Sequence, residues 1–231
     1  MSASGHFPQI KRSGNEGLES SVAEEVVFVF LGPKLPAYAI PSLKLALRHS
    51  GLNVRLVGNK TLSIGLPRYI RFTALEDFYN STVFAAVAHK VLFSHQAGNG
   101  FWLKTLERLF VLHQYQEYSS SRTFFHAELD QLLFRADQLI SRIEALGTTG
   151  LFVPRHNESR AVGSVVYCNS AEKYRSLLDF ASVSEPFDNE MSLMGSWLKK
   201  FPDLAHNIPT IYDAVRPDGS KESVRLLGGV A

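Results

Sequence analysis

The sequence predicts one α/β domain, a mainly parallel central sheet flanked by helices. Three observations carry that expectation. Val26-Val27-Phe28-Val29-Phe30-Leu31 is an unbroken β-branched and aromatic run, the pattern of a strand buried on both faces. A helix-period segment and a second short apolar run follow, giving the strand–helix–strand crossover from which parallel sheets are built. Strand-like and helix-like segments then alternate through most of the chain.

Gly32-Pro33 stops the first strand. Helix periodicity runs from about Tyr38 to Leu47 and ends at Ser50-Gly51, where glycine suits the position after a helix. Asn53 to Val57 reads as the second strand, Leu75 to Tyr79 as a helical turn and Val83 to Phe93 as a helix. Gly98-Asn99-Gly100 is a break, and Phe101 to Tyr115 repeats apolar residues at helical spacing through Leu103, Leu106, Leu109 and Phe110. After a Ser119-Ser120-Ser121 loop, a strand is expected from about Arg122 to Asp130. Asp137 to Leu146, closed by Gly147, reads as an amphipathic helix, as do Ala171 to Ala181 and Asn189 to Lys200. Gly150 to Pro154 and Val162 to Asn169 read as strands. The expected divisions are a disordered leader at 1–21, one domain at 22–215 and a polar tail from 216 to 231.

At 231 residues, 45% apolar and 20% charged, the chain has the make-up of an ordinary globular protein. A formal charge of +2 with dispersed basic residues argues against a nucleic-acid or anionic-membrane surface. The single Cys168 excludes an intramolecular disulfide framework and fits a reducing compartment. No run approaches the length of a membrane span, and residues 1–21 lack a secretory apolar core. The expected location is cytoplasmic.

Chemistry concentrates at the end of the run Thr123-Phe124-Phe125-His126-Ala127-Glu128-Leu129-Asp130. In a strand, Glu128 and Asp130 project from one face, where two buried carboxylates demand a cation. Mn²⁺ or Mg²⁺ carrying a diphosphate would supply it; a solvent-facing strand exit would need none. His126 shares that face, as a ligand or as a satisfied structural residue. Gly32, Pro33 and Lys34 follow the first strand, where open sheets place nucleotides, although neither GxGxxG nor the P-loop pattern occurs. Glu107 and Arg108 lie within the Phe101–Tyr115 helix, either as a surface pair or with the arginine reaching a phosphate or bracing the acidic strand. Asp188 and Glu190 precede a helix and suit its N-terminus electrostatically; a catalytic base is the sharper role. His156 and His206 are further loop-like histidines, and Cys168 reads as a small core residue.

Three segments together resemble glycosyltransferases of the GT-A (nucleotide-diphospho-sugar transferase) fold. Val26 to Asn59 carries a strand, a Leu35-Pro36-Ala37-Tyr38 loop, a helix and a second strand. Phe101 to Phe134 carries a Thr105-x-x-Arg108 helix leading to His126-x-Glu128-x-Asp130. Asn189 to Pro209 is similar to a later acidic helix and its exit. The order of the segments is the family's. The resemblance implies a single GT-A-like domain, a nucleotide-diphospho-sugar donor, a saccharide or other acceptor and a divalent metal. Carried over by position, Glu128 and Asp130 correspond to the family's Asp-x-Asp metal ligands, with glutamate first and Gln131 where an apolar residue is more usual. Gly32, Pro33, Arg108 and His126 would face the donor, and Asp188 or Glu190 would be the base of an inverting transfer, a retaining one needing no such base. The resemblance also marks the end of the chain as shortened. A non-catalytic binding or scaffolding module is the second expectation, and a metal-dependent nucleotidyl- or phosphotransferase the third.

Overall fold

The structure is a computed structural model that describes residues 25–92, 100–119, 123–208 and, by backbone alone, 211–215 and 221–225. The expected leader, the Gly98-Asn99 break and the Ser120–Arg122 stretch lie outside the described residues. In chain order the first half comprises β1 (Glu25–Phe30), α1 (Ala39–His49), β2 (Asn53–Gly58), β3 (Arg71–Ala74), α2 (Thr82–Ala88), α3 (Phe101–Tyr118) and β4 (Phe124–Ala127). Then come α4 (Ala136–Glu144), β5 (Leu151–Val153), β6 (Arg155–Asn157), β7 (Arg160–Ala161), β8 (Val165–Cys168), α5 (Ala171–Val183) and α6 (Glu190–Lys200). The last strands are β9 (Ala205–Asn207), β10 (Ile211–Val215) and β11 (Lys221–Arg225).

Seven strands form one sheet in the order β3-β2-β1-β4-β8-β5-β9. Only β8 runs against its neighbours; the remaining pairings are parallel. Successive residues of each strand point to opposite faces, so the sheet carries two cores. Val27, Val29, Phe124 and Val166 pack against α3, α5 and α6, while Val26, Phe28, Phe125 and Tyr167 pack against α1 and α4. The strand order reverses between β1 and β4, because β2 and β3 lie on one side of β1 and β4 on the other. Such a reversal opens a crevice at the carboxyl ends of the strands.

Two expectations need correction. The segment Val83 to Phe93 is helical only to Ala88; Val91 then makes a parallel bridge to Phe187. Lys90 pulls the chain out of the helix, its ammonium donating to the Ser182 and Ser184 carbonyls at the end of α5 at 2.6 and 2.8 Å. The acidic segment leaves the sheet earlier than expected. β4 ends at Ala127, and a turn closed by Gln131 N–H to Glu128 C=O (3.0 Å) holds the two acids, so strand alternation does not set their direction. Arg71–Ala74, a mixed stretch for which no element was expected, is also a strand, braced by an Arg55 Nη1 hydrogen bond to Thr73 Oγ1 at 2.9 Å. At the end of the described residues, β11 pairs antiparallel, residue for residue, with β10.

Candidate functional site

A pocket of about 260 Å³ lies where the strand order reverses, beyond the carboxyl ends of β1 and β4. One wall is the end of β1 and its loop, from Val29 to Gly32, with Tyr38 at the rim. A Cβ at Gly32 would come within 2.6 Å of the Phe30 ring, so a larger residue there would push that ring aside. The opposite wall is one stripe of α3: Phe101, Lys104, Thr105 and Arg108, spaced as neighbours on a single helix face. Glu128, Leu129 and Asp130 close the third side. At this volume the pocket is smaller than a typical small-molecule site of roughly 300–1,000 Å³, so it admits part of a large ligand.

Its floor is a polar cluster. Arg108 is only 8% exposed and pairs through Nη1 with the Glu128 carboxylate, while its Nε has no hydrogen-bond partner among the described residues. Glu190, 4% exposed, sits beneath Thr105, whose hydroxyl lies 2.7 Å from the carboxyl and 3.0 Å from the Trp102 carbonyl. One hydroxyl proton cannot serve both acceptors. Burial pushes the Glu190 carboxyl above its ordinary pKa, which favours the protonated form that donates to Thr105 and frees the hydroxyl for Trp102. Glu190 is held there by the Asn189 cap, whose side chain accepts from the Met191 and Ser192 N–H groups.

His126 lies one residue pair deeper in β4 and has no exposed surface. Its Nδ1 is 2.7 Å from the Val27 carbonyl, which can only accept, so Nδ1 carries the proton and Nε2 is bare. Burial first, and the Arg108 charge second, pull its pKa down to about 3.

The structure thus brings four of the expected residues to one pocket: Gly32, Arg108, Glu128 and Asp130. The others stand apart. Pro33 is exposed and outside the lining, and His126 is beneath the floor rather than in a wall. Asp188 faces Arg160, at 3.6 Å, and does not line the pocket; nor does Glu190, whose access is blocked by Thr105. His156 is exposed on β6, and His206 stacks near Phe152 with ring centroids 4.8 Å apart. Cys168 is fully buried, as a core residue. Glu107 accepts from the Tyr79 hydroxyl at 3.0 Å and so points away from the acids that its neighbour braces.

The two acids expected to share a metal stand in different surroundings. The Glu128 carboxylate is already neutralised by Arg108, which leaves Asp130 as the exposed acid of the pair. Among the described residues no group of three or more His, Cys, Asp or Glu side chains converges to hold an ion. Sequence reasoning missed Tyr38, Phe101, Lys104 and Thr105 as lining residues. For three of them the signal was available: on α3, Phe101, Lys104 and Thr105 share with Arg108 a stripe distinct from the core stripe of Leu106, Leu109 and Phe110.

No family model matches the chain, and neither does any curated protein. Solved structures do. The PaToxG glycosyltransferase is 11% identical with a TM-score of 0.50, covering 78% of this chain and 70% of its own. The apo-form glycosyltransferase GlyE of Streptococcus pneumoniae TIGR4 is 14% identical (TM-score 0.44; 81% of this chain, 45% of its own). A CMP:2-keto-3-deoxy-manno-octonic acid synthetase complexed with CTP is 11% identical (TM-score 0.39; 80% and 89%). The first of these establishes a shared architecture: the chain has a GT-A-like α/β fold with a mostly parallel seven-stranded sheet flanked by helices. Among the described residues no helix is long and apolar enough to cross a membrane.

Proposed function

We propose that the pocket holds the diphosphate end of a nucleotide-diphospho-sugar and that the chain is a glycosyltransferase. The observation that carries this reading is the convergence of Lys104, Arg108, Glu128 and Asp130 at the strand reversal of a GT-A-like sheet. A pocket of this size suits a diphosphate and an adjoining ring rather than the whole donor. Tyr38 and Phe101, each about half exposed at the rim, offer aromatic faces to a base or sugar. Asp130 offers acceptor oxygens to sugar hydroxyls.

In the transfer, the bond from the anomeric carbon to the diphosphate oxygen breaks and a bond to the acceptor oxygen forms. The acceptor hydroxyl gives its proton to the departing diphosphate or to water, and negative charge grows on the departing nucleoside diphosphate. Cationic groups fixed beside that oxygen before reaction lower the barrier. Lys104 and Arg108 are the cations on the wall.

A binding module without turnover is the second reading, favoured by one observation: neither Asp188 nor Glu190 reaches the pocket as a base. The test is incubation of the protein with a panel of nucleotide-diphospho-sugars and acceptors, following nucleoside diphosphate release. Release that falls at least about tenfold in Lys104→Gln would support transfer at this site. Binding without release would favour the module, release of pyrophosphate or phosphate a nucleotidyl- or phosphotransferase, and absence of any binding would end all three readings.

A further inference from the structure

We propose that Arg108, with Lys104, supplies the positive charge that a donor diphosphate needs at this site, and that Glu128 is an internal anion holding Arg108 until the diphosphate displaces it. The proposal rests on the reading of the pocket as a diphosphate site. It differs from that reading in dispensing with a divalent ion.

The geometry argues for it in four ways. Arg108 and Lys104 are one helical turn apart and both line the pocket, so two cations face one cavity. The Arg108 guanidinium is nine-tenths buried and its Nε lacks a partner among the described residues, so its donor capacity exceeds what Glu128 uses. A planar fork of this kind matches a phosphate as well as a carboxylate. The first turn of α3, an 18-residue helix, contains no acidic residue, and its Gly100 cap has no side-chain acceptor. The positive end of the helix therefore adds to the field at the pocket instead of being neutralised. Finally, Glu128 sits on a turn beyond β4, about one quarter exposed, where it can swing away without breaking the sheet.

The alternative, a metal held by Glu128 and Asp130, would take the carboxylate from Arg108 and leave a buried guanidinium without its counter-ion. Glu190 is the other nearby carboxyl, and it is engaged with the Thr105 hydroxyl at 2.7 Å.

The two accounts predict opposite effects for Glu128→Gln. If Glu128 competes with the diphosphate for Arg108, removing its charge tightens binding; if it holds a metal, removing its charge weakens binding. The experiment is calorimetric titration of the full chain with UDP and with GDP, in EDTA and in Mn²⁺, for wild type, Glu128→Gln, Asp130→Asn and Lys104→Gln. The expected results are wild-type binding in EDTA within about threefold of that in Mn²⁺, about tenfold tighter binding by Glu128→Gln and about tenfold weaker binding by Lys104→Gln. Lys104 is exposed, so its variant keeps the test decisive even if Glu128→Gln folds poorly. Binding that requires Mn²⁺, or that Glu128→Gln and Asp130→Asn abolish, would overturn the proposal while leaving the glycosyltransferase reading intact. No binding of either nucleotide under any condition would remove both.

Discussion

Acidification should unfold this protein in part through His126. The imidazole is fully buried with its Nδ1 proton on the Val27 carbonyl, and its pKa is pulled down to about 3 from an ordinary 6.5. Between those values the unfolded chain binds a proton at this residue and the folded chain does not. Its contribution to stability is therefore complete above pH 6.5 and is lost as the pH falls toward 3. The loss approaches 1.36 kcal/mol per pH unit, or about 2 kcal/mol on going from pH 7 to pH 5. Urea unfolding of wild type and His126→Asn at both pH values measures it. Asparagine keeps a donor for the Val27 carbonyl but does not titrate. The variant is expected to be less stable at pH 7, where it leaves space, yet to lose about 2 kcal/mol less than wild type by pH 5. Parallel losses in the two proteins would refute the reasoning, because the acid sensitivity would then belong to other groups.

Glu190 has the opposite sign. Its raised pKa means that ionising it costs the folded state, a penalty absent below about pH 4.5 and complete above the folded-state value. Glu190→Gln should therefore gain stability relative to wild type as the pH rises from 4.5 to neutral, measured by urea midpoints, with Arg108 and Glu128 as the charged neighbours. Gly195→Ala should destabilise by about 1–3 kcal/mol or more in thermal melts, because the new Cβ would lie 2.1 Å from the Ser159 carbonyl oxygen. Cys168, buried and with its thiol pushed up to about 12, should resist iodoacetamide at pH 8 in the native protein and react readily in urea, as read by intact mass.

The first crossover was legible because its signals are local. β1 is a continuous apolar run after Glu25, β2 places Val54, Leu56 and Val57 in a short β-branched and apolar segment, and the glycine expected after α1, Gly51, has φ +76°. β3, β9 and the β6–β7 pair were not, since two to four mixed residues carry no periodicity of their own and become strands only through their partners. The reversed direction of β8 has no local signature either. At the site, the need for a cation beside Glu128 could be read from two neighbouring acids. That Arg108, twenty residues earlier, supplies one depends on where α3 crosses the sheet. Lys104 and Thr105 were missed because polar residues opposite an apolar stripe look like a solvated face.

The most direct test of the account is hydrogen exchange of the intact chain with and without saturating UDP or GDP. The pocket at the β1–β4 reversal predicts protection confined to residues 29–38, 101–108 and 128–130, with none at 155–161. Binding that protects the 155–161 hairpin instead, or that leaves the α3 stripe and the acidic turn unchanged, would contradict it.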